Sequence, residues 1–254
     1  MEPFAGGASV ALQLLNDKVV ERIGLIELDP LVADFWKTVF FDTDWLVHQV
    51  QTIKVTLEQW DKFKTTDITE RRDRAIACLF LNRTSFSGIL ARSGPLGGRE
   101  QKSAYSLDCR FPRETLVKRI RQAEALKERV AFVWNLSWQN GLSRIQQMQK
   151  RGTLPADIFF YFDPPFFEKA DHLYRYYFND VGHRRLRDYV LSLEASWILS
   201  YDSPERVKEL YSSGRYNSIQ VELLYSTGRC TGKRTTQQEV ILTNLLRLPS
   251  ETNL

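Results

Sequence analysis

The stretch Ile158-Phe159-Phe160-Tyr161-Phe162-Asp163-Pro164-Pro165-Phe166 decides how this chain is read. Its first five residues form an unbroken apolar run, the pattern of a strand buried on both faces of a parallel sheet. The run ends in a carboxylate, two prolines and an aromatic ring. Open α/β sheets bind their ligands at the carboxyl ends of the strands, so this corner stands where a ligand would. The prolines have no amide hydrogen and fix the backbone, which stiffens the turn. Their carbonyls can still accept hydrogen bonds. The corner offers acceptors (the Asp163 carboxylate and the Pro164 carbonyl), a stacking face (Phe166) and no donor. It suits a flat ring carrying an amino group with two N–H bonds to satisfy.

Working outward, the chain opens on Glu2-Pro3-Phe4-Ala5-Gly6-Gly7 and a short helix over residues 9–15. Two adjacent glycines let the backbone turn tightly and approach a ligand closely. Next comes the strand-like Arg22-Ile23-Gly24-Leu25-Ile26, ending in Glu27-Leu28-Asp29-Pro30. An acid about 20 residues past a glycine turn, at the end of the second strand, is the usual partner of ribose hydroxyls. With a helix over residues 31–41, this is the first half of a nucleotide-binding α/β sheet.

Residues 42–70 carry mixed signals. A helix follows over 71–82, with Ala75, Ile76, Leu79 and Phe80 on one face. Residues 82–99 are rich in Gly, Ser and Arg and read as a loop or irregular hairpin. Long structureless inserts in compact domains are more often functional than not. After Phe111-Pro112 a further helix runs to about Lys127. The sheet resumes at residues 131–134, then a helix near 139–150 leads to the opening stretch. A helix near 183–194, a strand over 197–201 and a helix over 204–211 come next. Two last strands, near 217–225 and 238–244, have no helix between them and should pair antiparallel. Their connection is basic, with Gly228, Arg229, Gly232, Lys233 and Arg234.

The whole chain has 254 residues, mean hydropathy −0.34 and formal charge +4. From Arg71 to Arg129 there are 14 Lys/Arg and 6 Asp/Glu, a net of +8, which leaves −4 for the remainder. A basic middle on an acidic body points to a polyanion-binding segment. No apolar stretch is long enough to span a bilayer and no signal peptide opens the chain, so a cytoplasmic protein without membrane contact is expected. Cys78, Cys109 and Cys230 show no paired spacing, which suggests a reducing compartment. His48, His172 and His183 lack ligand spacing, so no metal is expected and each reads as a surface or cap residue.

In motif order across nearly its whole length, the chain resembles the Dam-type (alpha-class) DNA adenine-N6 methyltransferases. Glu2-Pro3-Phe4-Ala5-Gly6-Gly7 resembles the family's cofactor motif, and Glu27 its ribose-binding acid. Asp163-Pro164-Pro165-Phe166 resembles its Asp-Pro-Pro-aromatic catalytic motif. Asn82-Arg83 through Gly88, with Arg92, is similar to its target-recognition segment. The resemblance implies a Rossmann-like, mostly parallel sheet (the methyltransferase fold), closed by a terminal antiparallel strand and interrupted by a mainly helical insert. Residues 1–41 and 130–254 would form the catalytic domain and residues 42–129 the target-recognition region.

What the resemblance implies about function is specific. S-adenosylmethionine is the expected cofactor, held by Glu2, Pro3, Phe4, Ala5, Gly6, Gly7, Glu27, Asp29, Ser137, Trp138 and Asp163. The methyl group would pass by direct in-line transfer to the N6 amine of an adenine flipped out of the duplex and stacked on Phe166. Asp163 and Pro164, with Pro165 stiffening the turn, would hold that amine. Asn82, Arg83, Ser85, Arg92, Arg99 and Lys102 would meet double-stranded DNA. A monomer is expected, and a cognate restriction endonuclease acting on the same site is a partner of the kind the family keeps. Family members carry a further segment before the Glu-Pro-Phe motif, so weakened cofactor binding is also expected. Where many members have an acid before Trp138, this chain has Ser137. Two rival readings follow: an impaired DNA-binding remnant, and an RNA amine methyltransferase on the same fold.

Overall fold

The computed structural model of the protein describes residues 1–167, 170–202, 204–212, 216–225 and 235–246. The chain divides into two compact units. One comprises Ala5–Trp138 with His172–Arg175; the other comprises Met1–Phe4, Gln139–Asp171 and Tyr176–Leu254.

The first of these contains α1 (Ser9–Asn16), β1 (Ile23–Glu27), α2 (Pro30–Phe41), α3 (Thr43–Thr52), α4 (Leu57–Thr65), α5 (Arg71–Thr84), α6 (Arg113–Glu124) and β2 (Val130–Asn135). β1 and β2 pair in parallel, with Leu25 opposite Val133 and Glu27 opposite Asn135. α2 starts where it does because the Asp29 carboxylate accepts from the Leu31 amide and Pro30 occupies the first turn. α2 packs on α5, and α3 on α6. Leu15, Leu25, Trp36, Phe40, Leu46, Phe80, Phe111 and Ile120 fill the shared core. Each such side chain contributes about 1.5–3 kcal/mol by leaving water.

Residues 42–70 are more ordered than their sequence suggests, since α3 and α4 lie there. Their apolar stripes are short: Leu46, Val47 and Val50 on α3, and Trp60 alone buried on α4. Helices this short draw their stability from tertiary packing. One local signal was available. Thr56 caps α4 by accepting from the Gln59 amide, the Thr-x-x-Gln form of a capping box.

Much of the basic surplus of residues 71–129 holds this unit together. Arg71 and Arg72 clasp Asp42, Arg74 reaches Asp34, and Arg121 bridges Asp44 and Glu124. Arg113 donates to the carbonyls of Val50 and Ile53. Arg129 donates to those of Leu15, Val20 and Glu21.

The second unit contains α7 (Trp138–Lys150, all but its first residue), β3 (Phe160–Phe162), α8 (Ala170–Leu173, in part), α9 (Asp180–Ser192), β4 (Trp197–Tyr201), α10 (Pro204–Leu210), β5 (Asn217–Tyr225) and β6 (Thr235–Thr243). Its sheet runs β3-β4-β6-β5. β3 and β4 are parallel, whereas β6 is antiparallel to both its neighbours, and its pairing with β5 is the antiparallel one the sequence led us to expect. The basic connection at residues 226–234 lies outside the described residues.

One expectation needs correcting. Among the described residues there is no extended, mostly parallel sheet. Parallel pairing is confined to β1–β2 and β3–β4, in two separate small sheets. The physical reason is how little backbone pairing the flanking segments make. β3 keeps three paired residues of its five-residue apolar run. The lead-in makes scattered ladder bonds: the Met1 amine donates to Phe159 and the Tyr161 amide to Met1 in one unit, and the Ala5 amide to Ile26 in the other.

Candidate active site

Asp163 follows β3 directly and keeps its side chain accessible to solvent. The Ser200 hydroxyl, on β4, donates to Asp163 Oδ1 at 3.0 Å. Tyr161 OH lies 3.1 Å from the same Ser200 oxygen. Although one side of Asp163 is open, surrounding protein strips enough water from it to push its pKa up to about 6. Desolvation is the main cause, the charges of Glu239 and Asp202 act in the same direction, and the Ser200 hydrogen bond opposes them. Pro164 is buried, while Pro165 and Phe166 are half-buried.

The next residue anchors the corner. Phe167 stacks on the imidazole of His183, with centroids 3.9 Å apart, and its amide donates to Asp202 at 3.1 Å. The Arg206 guanidinium lies over the Phe167 ring, 5.6 Å from its centre. His183 is only 2% exposed and its Nδ1 is 3.0 Å from Tyr201 OH. The expectation that it is a surface or cap residue is therefore wrong. It is an aromatic wedge, and burial above all pushes its pKa down to about 4, so it stays neutral. His48 and His172 are exposed as expected. Among the described residues no group of three or more His, Cys, Asp or Glu could hold a metal ion.

The glycine turn belongs to the other unit. Gly6 adopts φ +44°, in the left-handed region, and a Cβ added at Gly6 or Gly7 would meet nothing within 4 Å. Both glycines are exposed. The Trp36 indole N–H donates to the Gly6 carbonyl at 2.8 Å, and the Gly6 amide donates to Glu27 Oε2 at 2.8 Å. The Asp29 amide donates to Glu27 Oε1, also at 2.8 Å. A carboxylate accepts about four hydrogen bonds, so Glu27 retains acceptor capacity beyond its backbone donors. Burial raises its pKa, while the Asp29 and Gly6 amides favour the anion. Asp29 pairs with Arg175 at 2.9 Å.

These features fit a nucleoside-bearing group: an open face over two glycines beside a carboxylate fixed by backbone donors. Of the other residues expected there, Ala5 is 5% exposed with its amide tied to Ile26. Trp138 is buried at the start of α7, and Ser137 precedes it half-buried. Glu2, Pro3 and Phe4 lie in the same unit as Asp163; Glu2 and Pro3 are buried and Phe4 meets Phe178 edge-on.

The sequence pattern of the D12 class N6 adenine-specific DNA methyltransferases matches residues 1–227. The chain belongs to this family. It is therefore an adenine-specific DNA methyltransferase, acting on DNA, and its mixed α/β architecture with small sheets is consistent with a methyltransferase fold. Methyltransferases of this kind generally use S-adenosylmethionine. No curated protein matches the chain. No helix among the described residues is long and apolar enough to cross a membrane.

In this methyltransferase the loop after α5 is an irregular hairpin, as its sequence suggests. Ser85 and Pro95 form an isolated antiparallel bridge, the Phe86 amide donates to Gly94 and the Leu96 amide to Thr84. α4, which the sequence left unread, carries the loop. Trp60 donates to Ser85, Lys64 donates to the carbonyls of Leu90 and Ala91, and Asp61 pairs with Arg99, whose guanidinium also covers Trp60.

The expected DNA contacts are placed unequally. Ser85 is fully buried, so its side chain is scaffold beneath the loop and not a DNA-facing group. Arg83 donates to the Arg110 carbonyl and is half-buried. Asn82 is exposed but donates to the Gly88 carbonyl. Arg92, Arg99 and Lys102 are exposed, the last beside Glu100.

Proposed function

We propose that this protein transfers the methyl group of S-adenosylmethionine directly to the N6 amine of an adenine flipped out of double-stranded DNA. The observation that carries this reading is the Asp163 carboxylate at the end of β3, accessible, partly desolvated and fixed by Ser200.

Gly6, Gly7 and Glu27 would hold the nucleoside part of the donor, with Asp29, Ser137 and Trp138 completing its surroundings. When bound, S-adenosylmethionine supplies an electrophilic methyl group on a sulfonium centre. Adenine's exocyclic nitrogen is a poor nucleophile because its lone pair is delocalised into the ring. Asp163 and the Pro164 carbonyl accept hydrogen bonds from its two N–H groups and favour a more tetrahedral nitrogen, which after methylation releases one proton to solvent. Positioning of this sort lowers a barrier substantially. Asp163 also opposes the positive charge that develops on the nitrogen. Phe166 stacks on the flipped base, worth about 1–3 kcal/mol. Residues 1–41 and 130–254 do the chemistry, and residues 42–129 read the DNA through Arg92, with Arg83, Arg99 and Lys102 on phosphates.

The test is transfer of radiolabelled methyl groups to duplex DNA, single-stranded DNA and RNA by the wild type and by Asp163→Ala. Adenine-N6 labelling of the duplex that falls by ~10²–10³ in the variant supports the reading. Labelling of RNA in preference to DNA, or labelling that survives the substitution, overturns it.

A further inference from the structure

β3 and β4 run parallel with Phe162 opposite Leu199, so the next residues of the two strands, Asp163 and Ser200, come side by side. Tyr161 precedes Asp163 by two positions and so shares its face of the strand. The three side chains form one hydrogen-bonded row: Tyr161 OH is 3.1 Å from Ser200 Oγ, which donates to Asp163 Oδ1 at 3.0 Å. A hydroxyl has a single proton to give. Because Ser200 gives its proton to the carboxylate, its oxygen must accept from Tyr161. With Asp163 ionised the direction of the row is therefore determined, from Tyr161 through Ser200 to Asp163.

We propose that Ser200 and Tyr161 are positioning residues that hold the Asp163 carboxylate in one orientation for the target amine. The proposal rests on the methyl-transfer reading above. Ser200 is 6% exposed, so its hydroxyl has little water to turn towards. Tyr161 has its pKa pushed up to about 12 by burial first and by the Asp163 charge second, so it keeps its proton and remains a donor. A donor polarised by a second donor binds an anion more strongly than an isolated hydroxyl does.

The other charged groups around Asp163 work against its ionisation. Asp202, just past β4, and Glu239, on β6, are both acids and both raise its pKa. Ser200 is what opposes them. Removing the Ser200 hydroxyl should therefore let Asp163 take up a proton at higher pH. Removing the Tyr161 hydroxyl should do the same to a smaller extent, and only while Ser200 is present to relay it.

The experiment follows the Asp163 carboxyl by carbon NMR through a pH titration of the full chain, with its signal assigned using Asp163→Asn. In parallel, kcat for methylation of duplex DNA is measured against pH. Ser200→Ala should move both the titration and the acidic limb of kcat to higher pH by about one unit. Tyr161→Phe should move them less, and should add nothing in the Ser200→Ala background. Ser200→Thr, which restores a hydroxyl, should bring both back towards wild type. The proposal falls if the Asp163 titration ignores Ser200→Ala, or if Tyr161→Phe shifts it equally with and without Ser200. An unmoved titration in an active wild type defeats the positioning role alone. A shifted titration in a chain that never methylates adenine supports the row and defeats the methyl-transfer reading instead.

Discussion

The Trp60 indole N–H donates to the Ser85 hydroxyl, 3.1 Å away, with Trp60 4% exposed and Ser85 wholly buried. This bond ties α4 to the first residue of the loop after α5. Ser85→Ala would strand a buried indole N–H without its acceptor. We expect a loss of about 1–3 kcal/mol in urea unfolding, because an orphaned buried donor carries its full desolvation penalty. A loss within a few tenths would mean that the loop does not depend on this bond.

Lys64 continues the same clasp, donating to the carbonyls of Leu90 at 2.8 Å and Ala91 at 2.6 Å, immediately before Arg92. Lys64→Met keeps the length of the side chain and removes both bonds. DNA affinity should weaken about tenfold in a fluorescence titration, since a charged donor's hydrogen bond is worth ~1.5–3 kcal/mol. Arg92→Ala should instead relax the preferred base at one position of the methylated site, whereas Arg99→Ala should weaken all duplexes alike and flatten the salt dependence. Sequencing of methylated DNA separates these outcomes. If Arg92→Ala lowers affinity without changing the methylated sequence, recognition lies elsewhere.

Asp163 gives a stability signature independent of catalysis. Its pKa in the folded protein is about 6, raised from 3.8. Between those values the folded chain holds more protons than the unfolded one, so stability falls as pH rises from about 4 to about 6. Above that window the loss is complete and constant. Asp163→Asn still accepts from Ser200 but cannot ionise. Its melting temperature should gain on the wild type between pH 4 and 6 and keep that margin to pH 8. Parallel melting curves at every pH would contradict the assigned environment. Activity should show the complementary trend, with wild-type kcat declining below about pH 6 as the carboxylate is protonated.

Glu27 accepts from backbone amides with both oxygens, from Gly6 and from Asp29. In Glu27→Gln one of those amides must face an NH2 group, so the glycine turn loses a bond as well as a charge. Calorimetry should show S-adenosylmethionine binding weakened at least about tenfold, one lost bond of this kind being worth about 1.4 kcal/mol or more. Gly6→Ala is the companion substitution. Its Cβ meets nothing in the chain, so the left-handed backbone alone should cost ~1–2 kcal/mol of stability. Unchanged affinity in Glu27→Gln would remove this carboxylate from the cofactor site.

Continuous or locally punctuated patterns were legible from sequence. The apolar runs at 131–134 and 158–162, and the run at 197–201 broken only by Ser200, announced β2, β3 and β4, because strands buried in a sheet carry few polar residues to blur them. Asp163, Gly6, Gly7 and Glu27 stood out because turns and strand ends are set by chemistry within a few residues. The helices of residues 42–70 did not stand out. α4 has only nine residues and fully buries Trp60 alone, with Leu57 and Phe63 partly buried, a stripe too short to set a period.

What the sequence by itself determined is the order of motifs, the strands that carry them and the family they belong to. The tertiary structure alone decided which distant residues complete each motif. Ser200 meets Asp163 only through the register of β3 on β4, and Trp60 and Lys64 reach the loop after α5 only because α4 folds back against it. It also decided that Ser85 is scaffold and His183 a neutral buried wedge, and that the strands stand in two small sheets. The reason is physical. Local propensity acts over a few residues and leaves its mark in composition and spacing, whereas hydrogen bonds across strands and burial under another helix depend on neighbours far away in the chain.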